Sequence, residues 1–346
     1  MKTVAMFNNK GGVGKTTLTC NLASFIGEET DLRVLVVDCD PQCNTTQLML
    51  GVDRAAEIYL SDSGANRPTT IRDVLKPFEQ GDSSIAELVR VVKGSSHRFG
   101  VDLLPGDPGL AILEDQLGQA WQGVKGRDFG GFRQTNWNAV LRGKLETEYD
   151  LVIFDLGPSL GSINRSVLMG CDHFATPLSS DIFSIIGVRN ISSWLADWIA
   201  DYDHSWGALK PAEQSELTDQ FGVLPSPRIR HGYAGYTIQQ YITKSYSGVR
   251  RATSAYEAII SKVDGEIAKA LSDFYVPSIS DGSGKLKLGE IPHLFSLVPL
   301  AQRKAVPIHG LKAADGLVGS QYAALREFEK NIRPVANNLL LNIGLR

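Results

Sequence analysis

The chain has 346 residues, 43% of them apolar, and a formal net charge of −3. That length can bury a full core, as one large domain or two small ones. The near-neutral balance excludes a global basic field, so any nucleic-acid binding has to come from a local patch. The four cysteines, Cys20, Cys39, Cys43 and Cys171, form no Cys-x-x-Cys pair. They read as reduced thiols of a cytosolic chain; Cys39 and Cys43 lack the matching second pair that a structural metal would need. No signal-peptide pattern opens the chain, and no apolar run approaches the roughly 20 residues that span a bilayer.

In chain order, short β-rich runs alternate with helix-length segments. Strands are expected at 3–8, 33–38, 101–105, 151–155 and 173–178, and also at the proline-bearing runs 222–229 and 290–297. Helices are expected at 15–27, 108–122, 187–202, 253–274 and 319–330, with shorter helical pieces at 70–76 and 83–93. Several strand runs are nearly continuous in Val, Leu, Ile and Phe, as in strands covered on both faces. This alternation predicts an α/β fold with a doubly wound, mostly parallel sheet flanked by helices, whose ligand sits at the carboxyl ends of the strands. Residues 1–346 read as a single domain with inserted helical segments: 55–100 is rich in Ser, Asp, Gly and Pro, and 202–219 reads as a polar connector. The leucine-rich residues 335–346 hold few cations, so they read as a packed terminal segment rather than a membrane-seeking helix.

The chemistry is concentrated after the first strand. Lys10, Gly11, Gly12, Val13, Gly14, Lys15, Thr16 and Thr17 make a glycine loop that opens a helix. Such a loop leaves backbone N–H groups free to surround phosphates, with Lys15 reaching the terminal phosphates and the Thr16 hydroxyl ligating Mg²⁺. A second lysine inside the loop, Lys10, is not needed for the nucleotide of its own chain. Two later strand runs close on acids: Asp38, followed by Cys39, Asp40, Pro41 and Gln42, and Asp155, followed by Leu156 and Gly157. An apolar run ending in Asp before a Gly/Pro turn places a carboxylate beside Mg²⁺ and lets the next loop sense the terminal phosphate. Taken singly, such an aspartate is equally suited to capping the next helix. Together with the loop, the pair points to nucleotide hydrolysis.

These motifs resemble those of the ParA-type ATPases of the ParA/MinD superfamily, which partition plasmids and chromosomes. Lys10 to Thr17 is similar to their deviant Walker A motif, Asp38 to Asn44 to their switch I, and Asp155 to Gly161 to their Walker B and switch II. Further echoes at Val101–Pro105 and at Ile291 and Pro292 extend the resemblance over most of the chain. It implies a P-loop NTPase fold with ATP and Mg²⁺ as cofactors. Lys10 would reach across a nucleotide-sandwich homodimer, Lys15 would hold the β- and γ-phosphates, and Thr16 would ligate the metal. Asp38 and Asp155 would order its water shell, Asp40 would orient the attacking water, and Ile291 and Pro292 would lie near the adenine. It further implies slow, partner-stimulated ATP hydrolysis, non-specific DNA binding by the ATP-bound dimer, an activating ParB-like or other adaptor, and a cytoplasmic, nucleoid-associated location. The chain departs from the pattern at Leu156-Gly157, where relatives carry a Thr-Pro-like pair, and at His293-Leu294-Phe295, where many place an arginine. With the loop starting at residue 10, no separate amino-terminal DNA-reading domain is expected.

Between Phe221 and Tyr256 there is no acidic residue, while Arg228, Arg230, Lys244, Arg250 and Arg251 alternate with five tyrosines. Cations beside aromatics and hydroxyls suit phosphate-backbone contact; the alternative is a solvated face over core tyrosines. Arg303 and Lys304 lie where ParA-like proteins commonly place DNA-contacting cations. Other readings are a MinD-like membrane-positioning ATPase, for which 335–346 is a poor anchor, and a regulatory or defence-associated switch with a protein partner. A metallocluster reductase would need axial cysteines shortly after Asp155, and Cys171 is the nearest.

Overall fold

A computed structural model describes residues 1–60, 67–241, 243–246, 249–252 and 254–346, apart from the side chains at 182, 185 and 240–261. Its strands are β1 (Lys2–Met6), β2 (Val34–Cys39), β3 (Asp102–Leu104), β4 (Leu151–Leu156), β5 (His173–Ser179), β6 (Tyr233–Tyr241), β7 (Thr243–Tyr246), β8 (Val249–Ala252) and β9 (Lys287–Pro292). Seven of them form one sheet in the order β3-β2-β4-β1-β5-β6-β9. Every neighbouring pair in it is parallel. The remaining two, β7 and β8, pair antiparallel as a separate hairpin.

The helices are α1 (Lys15–Glu29), α2 (Asn44–Leu50), α3 (Val52–Leu60), α4 (Ile71–Glu79), α5 (Leu110–Lys125), α6 (Phe129–Thr135) and α7 (Trp137–Leu145). They continue with α8 (Ser162–Gly170), α9 (Ile182–Gly207), α10 (Pro211–Phe221), α11 (Ser254–Leu271), α12 (Pro277–Ser280), α13 (Leu297–Lys304) and α14 (Gln321–Asn342). Because side chains alternate along a strand, each central strand feeds two cores. Ala5, Leu35, Val37, Val152 and Phe154 join the core built with α4, α5 and α7 to α9. Val4, Val34, Val36, Leu151 and Ile153 join the other, under α1 and α14. The doubly wound parallel sheet expected from the strand runs is therefore the observed architecture.

Several expected elements differ. Residues 222–229 are not a strand: Gly222 ends α10 at φ +65°, and a 3-10 turn covers Arg228–His231. Pro225 and Pro227 fix φ and lack the N–H a ladder needs, so the strand starts only at Tyr233. The run at 290–297 is the end of β9 followed by a turn, with Phe295 at φ +45°, and then the start of α13. Residues 83–93 are not helical; they bond sideways, Ala86 N to Val74 O (2.8 Å), Arg90 N to Thr69 Oγ1 (2.9 Å) and Val92 N to Leu103 O (2.8 Å). The polar connector at 202–219 is the last turn of α9 plus α10, whose polar residues cover only one face. Tyr202, Trp206 and Leu217 are buried on the other. The final helix runs to Asn342, straight through a solvent-facing Pro334, and buries Val335, Leu339 and Leu340. Asn342 there ties two strands' surroundings together, donating to Ala234 O and Lys285 O, both at 2.8 Å.

Candidate nucleotide and metal site

The site lies at the carboxyl edge of the sheet. After β1 the chain is held by Phe7 N to Ala175 O (3.0 Å) and Asn8 Nδ2 to Pro177 O (2.7 Å). It then turns through Gly12 (φ +74°) and Gly14 (φ +77°) into α1. These are left-handed conformations that a side chain would strain. Gly14 caps α1 without a side-chain acceptor, so the first N–H groups of the helix point into a cleft of about 450 Å³. The cleft is lined by the loop residues Lys10 to Thr17, by Asp40 and by Pro158.

The ladder sets the two strand-end carboxylates side by side: in the β2–β4 pairing Asp38 is opposite Asp155. Both are fully buried. Asp38 accepts from Thr46 N (2.9 Å), Thr46 Oγ1 (2.7 Å) and Asp40 N (3.2 Å). Asp155 accepts from Thr16 Oγ1 (2.7 Å), Thr45 Oγ1 (2.8 Å) and Thr19 Oγ1 (3.1 Å). Burial, reinforced by the Asp155 charge, pushes the Asp38 carboxyl up to about 7 against the pull of its hydrogen bonds. Burial also raises Asp155, partly opposed by Lys15 and the three hydroxyls. Two buried acids satisfied by hydroxyls and one nearby ammonium are short of positive charge. That donor set, oxygen-only and beside a phosphate-shaped loop, suits a hard divalent cation such as Mg²⁺. Among the described residues no group of three or more His, Cys, Asp or Glu converges to hold a metal by itself.

Asp40 lies in the cleft wall, its Oδ1 accepting from Gln42 N at 3.0 Å. A Cβ at Gly157 would stand 3.4 Å from that carboxylate, an ordinary contact distance, so the two loops abut. Ile291 and Pro292 line an adjoining apolar cavity of about 250 Å³ with Gly14, Thr17, Leu18 and Phe295. Lys10 folds back on its own chain: its ammonium bonds Ser179 Oγ (3.1 Å) and pairs with Asp181, the capping residue of α9. Burial raises the Asp181 carboxyl, but the Lys10 and Ser179 hydrogen bonds outweigh it and leave the carboxyl below its ordinary value.

The structure thus gathers the loop, Asp38, Asp40, Asp155, Ile291 and Pro292 around one edge. The basic residues are not gathered in the same way. Arg228 and Arg230 precede β6, at the opposite edge, and pair with Asp172 (3.0 Å) and Asp203 (2.6 Å). Tyr233 and Tyr236 from the same stretch are buried in the core. Arg303 and Lys304 are exposed at the end of α13, next to Gln302 of the cleft wall. Lys244, Arg250 and Arg251 fall outside the described side chains. Sequence reasoning overlooked Thr45, Thr46, Gln42, Asn44 and Gln302; the Thr-Thr pair directly after the acidic string was the available signal for the first two.

A family profile described as an AAA domain matches residues 1–203. The chain belongs to this family of ParA/MinD-type P-loop ATPases. Among its curated relatives is the virulence plasmid ParA family protein pGP5-D of Chlamydia psittaci, 28% identical over 197 residues, 56% of this chain and 63% of the relative. Another is the chromosome partitioning protein ParA of Caulobacter vibrioides, 29% identical over 192 residues, 55% of this chain and 61% of the relative. The chain therefore spans less than two thirds of the length of these curated relatives. The solved protein DIP2308 of Corynebacterium diphtheriae is similar along its length: 31% identity, TM-score 0.69 and 98% of both chains. The structure of pNOB8 ParA shares the fold, with TM-score 0.60 and 17% identity over 99% of this chain and 98% of that one. Among the described residues, no helix of this chain is long and apolar enough to cross a membrane.

Proposed function

We propose that this ATPase is a switch that binds Mg-ATP in the glycine-loop cleft, dimerises around two nucleotides, binds DNA without sequence preference and is released by hydrolysis. Its use is the partition or positioning of a plasmid, a chromosome or another cargo, with an adaptor protein that speeds an otherwise slow reaction. The observation that carries the reading is the pair of facing, buried strand-end carboxylates beside a phosphate-shaped loop. The names of the chlamydial and Caulobacter relatives support the partition role. Residues 1–346 act as one unit, with 55–100 and 202–219 as additions to it.

In this reading the loop N–H groups and Lys15 would hold the phosphates, and Thr16, with Asp38 and Asp155 behind it, would hold Mg²⁺. When bound, the metal supplies the positive charge that neutralises the transferring phosphoryl group. Asp40, at the cleft wall against Gly157, orients the attacking water. Ile291 and Pro292 receive the adenine in the apolar cavity beside Gly14. Lys10 exchanges Asp181 for the phosphates of a second protomer's nucleotide. Phosphate contacts from exposed cations such as Arg303 and Lys304 would give DNA affinity that falls steeply with salt.

Light scattering with Mg-ATP and salt-dependent DNA binding test this reading. Asp40→Ala is expected to bind ATP and accumulate as a DNA-bound dimer, with hydrolysis down at least about a hundredfold. Hydrolysis at the wild-type rate removes Asp40 from its role. Lys10→Ala is expected to bind ATP as a monomer, and an undiminished ATP-induced dimer removes Lys10 from the interface.

A further inference from the structure

The loop that follows Asp155, residues 157–161, leads into α8 without a cap of its own, because Gly161 at the helix boundary has no side chain. An uncapped helix start leaves several N–H groups without partners. The partner comes from another element. Glu114, on α5, accepts through one carboxylate oxygen from Ser162 N and through the other from Ile163 N at 3.3 Å. Gly161 admits it, since a Cβ at that position would collide with the carboxylate. From the α8 side, Asn164 Nδ2 donates to Gly157 O (2.9 Å) and Ser159 O (2.8 Å). The five-residue loop is thus fixed through its carbonyls by Asn164 and through its exit by Glu114.

What the loop carries gives this fixing a consequence. Pro158 lines the cleft and would lie 4.0 Å from a Cβ on Gly11, and Gly157 abuts Asp40. The entry to α5 is in turn tied to α4: Thr70 Oγ1 donates to Asp107 (2.9 Å), and the Arg72 guanidinium covers Gly109 closely enough to exclude a Cβ. Glu114 therefore joins α5 to a wall of the catalytic cleft, and α4 joins α5 from the far side.

We propose that Glu114 is a positioning residue for ATP hydrolysis: by capping α8 from α5, it holds residues 157–161 in register with Asp40. This rests on the nucleotide reading above. Because the loop meets the cleft through Pro158 and Asp40 through Gly157, while the phosphate cradle itself is built from residues 10–17, loss of the carboxylate reduces turnover more than nucleotide affinity.

The test uses the full chain, with Glu114→Ala and Glu114→Gln measured for Mg-ATP turnover and for amide hydrogen exchange at Ser162 and Ile163. In Glu114→Ala, kcat is expected to fall about tenfold with KM for ATP within about twofold, and the two amides to exchange at least about tenfold faster. Glu114→Gln keeps an acceptor oxygen and is expected to recover most of both losses. Faster exchange with wild-type kcat would reduce Glu114 to a helix cap and overturn the proposal, as would a KM that rises in step with the loss. Unchanged exchange in the alanine variant overturns it whatever the activity. If the alanine variant does not fold, the glutamine variant is judged against wild type: a wild-type rate with faster exchange, or a lower rate with unchanged exchange, overturns the coupling. If wild type itself turns over no ATP, the nucleotide reading fails, while the exchange rates still decide whether Glu114 holds the loop.

Discussion

Two acidic sites, one half-buried and one fully buried, lie at opposite edges of the same sheet, and they are neutralised differently. At the amino edge, Asp172 accepts from Thr3 N and Thr3 Oγ1, both at 3.0 Å, and pairs with Arg228 (3.0 Å) and Arg142 (3.6 Å). Burial raises its carboxyl, yet Arg142 and Arg228 outweigh that and hold it below the ordinary range. At the carboxyl edge, Asp38 and Asp155 have hydroxyls, two backbone N–H groups and the single Lys15 charge beside Asp155, and burial still wins. The chain completes the first site with its own arginines. The second is electrostatically incomplete in the same physical sense in which the first is complete, and that deficit is what an incoming cation can fill.

The sharpest way to break this comparison is to remove charge at each edge and read two quantities. Asp155→Asn is expected to cut Mg-ATP turnover at least about a hundredfold while leaving metal-free stability equal or higher. Steady-state hydrolysis and urea unfolding measure both; a large loss of metal-free stability would make Asp155 a structural acid like Asp172. Asp172→Asn is expected to do the reverse, costing about 2 kcal/mol in urea unfolding by leaving Arg142 and Arg228 poorly matched. Its turnover per folded molecule should stay near wild type.

A further effect concerns pH. Asp38 is raised in the folded state, to about 7 from 3.8, so the native protein holds a proton there that the unfolded chain has released. Stability from this group is present below the unfolded value and is lost as pH rises towards 7. Asp38→Asn, which has no such proton to lose, should gain steadily on wild type as pH rises across that window in EDTA, and the gap should level off above it. Thermal unfolding from pH 5 to 8 tests the sign: a gap that narrows with rising pH contradicts the burial argument.

Much of the carboxyl edge was legible in the sequence because its chemistry is local. A glycine loop, an apolar run and a closing aspartate are contiguous, and the ladder then places them. The neighbourhood of β6 was illegible for the opposite reason. Tyr233–Tyr241 mixes Gly, Thr and Gln with its apolar residues, and only its position between β5 and β9 makes it a strand. The arginines before it looked like a polyanion surface, but Arg228 meets an aspartate 56 residues away in sequence, a pairing that no local pattern contains. Glu114 is a similar case: its partners Ser162 and Ile163 come from another helix. At 202–219 the polar content points to a connector, whereas Tyr202, Trp206 and Leu217 mark the buried side of helices.

The pairing of Asp38 with Asp155 through the β2–β4 ladder has one more consequence. Their spacing is inherited from backbone hydrogen bonds at the centre of the sheet, where a one-residue slip would turn either carboxylate to the wrong face. The two strand-end carboxylates can therefore be separated only by breaking the sheet, on the timescale of global unfolding. Timing has to reside elsewhere, in parts that can let go singly: the Lys10–Asp181 pair, the Asp40 turn and the loop at 157–161. The protein has a fixed anvil and movable hammers, and inhibitors or activators that alter its rate without unfolding it should leave the two aspartates where they are.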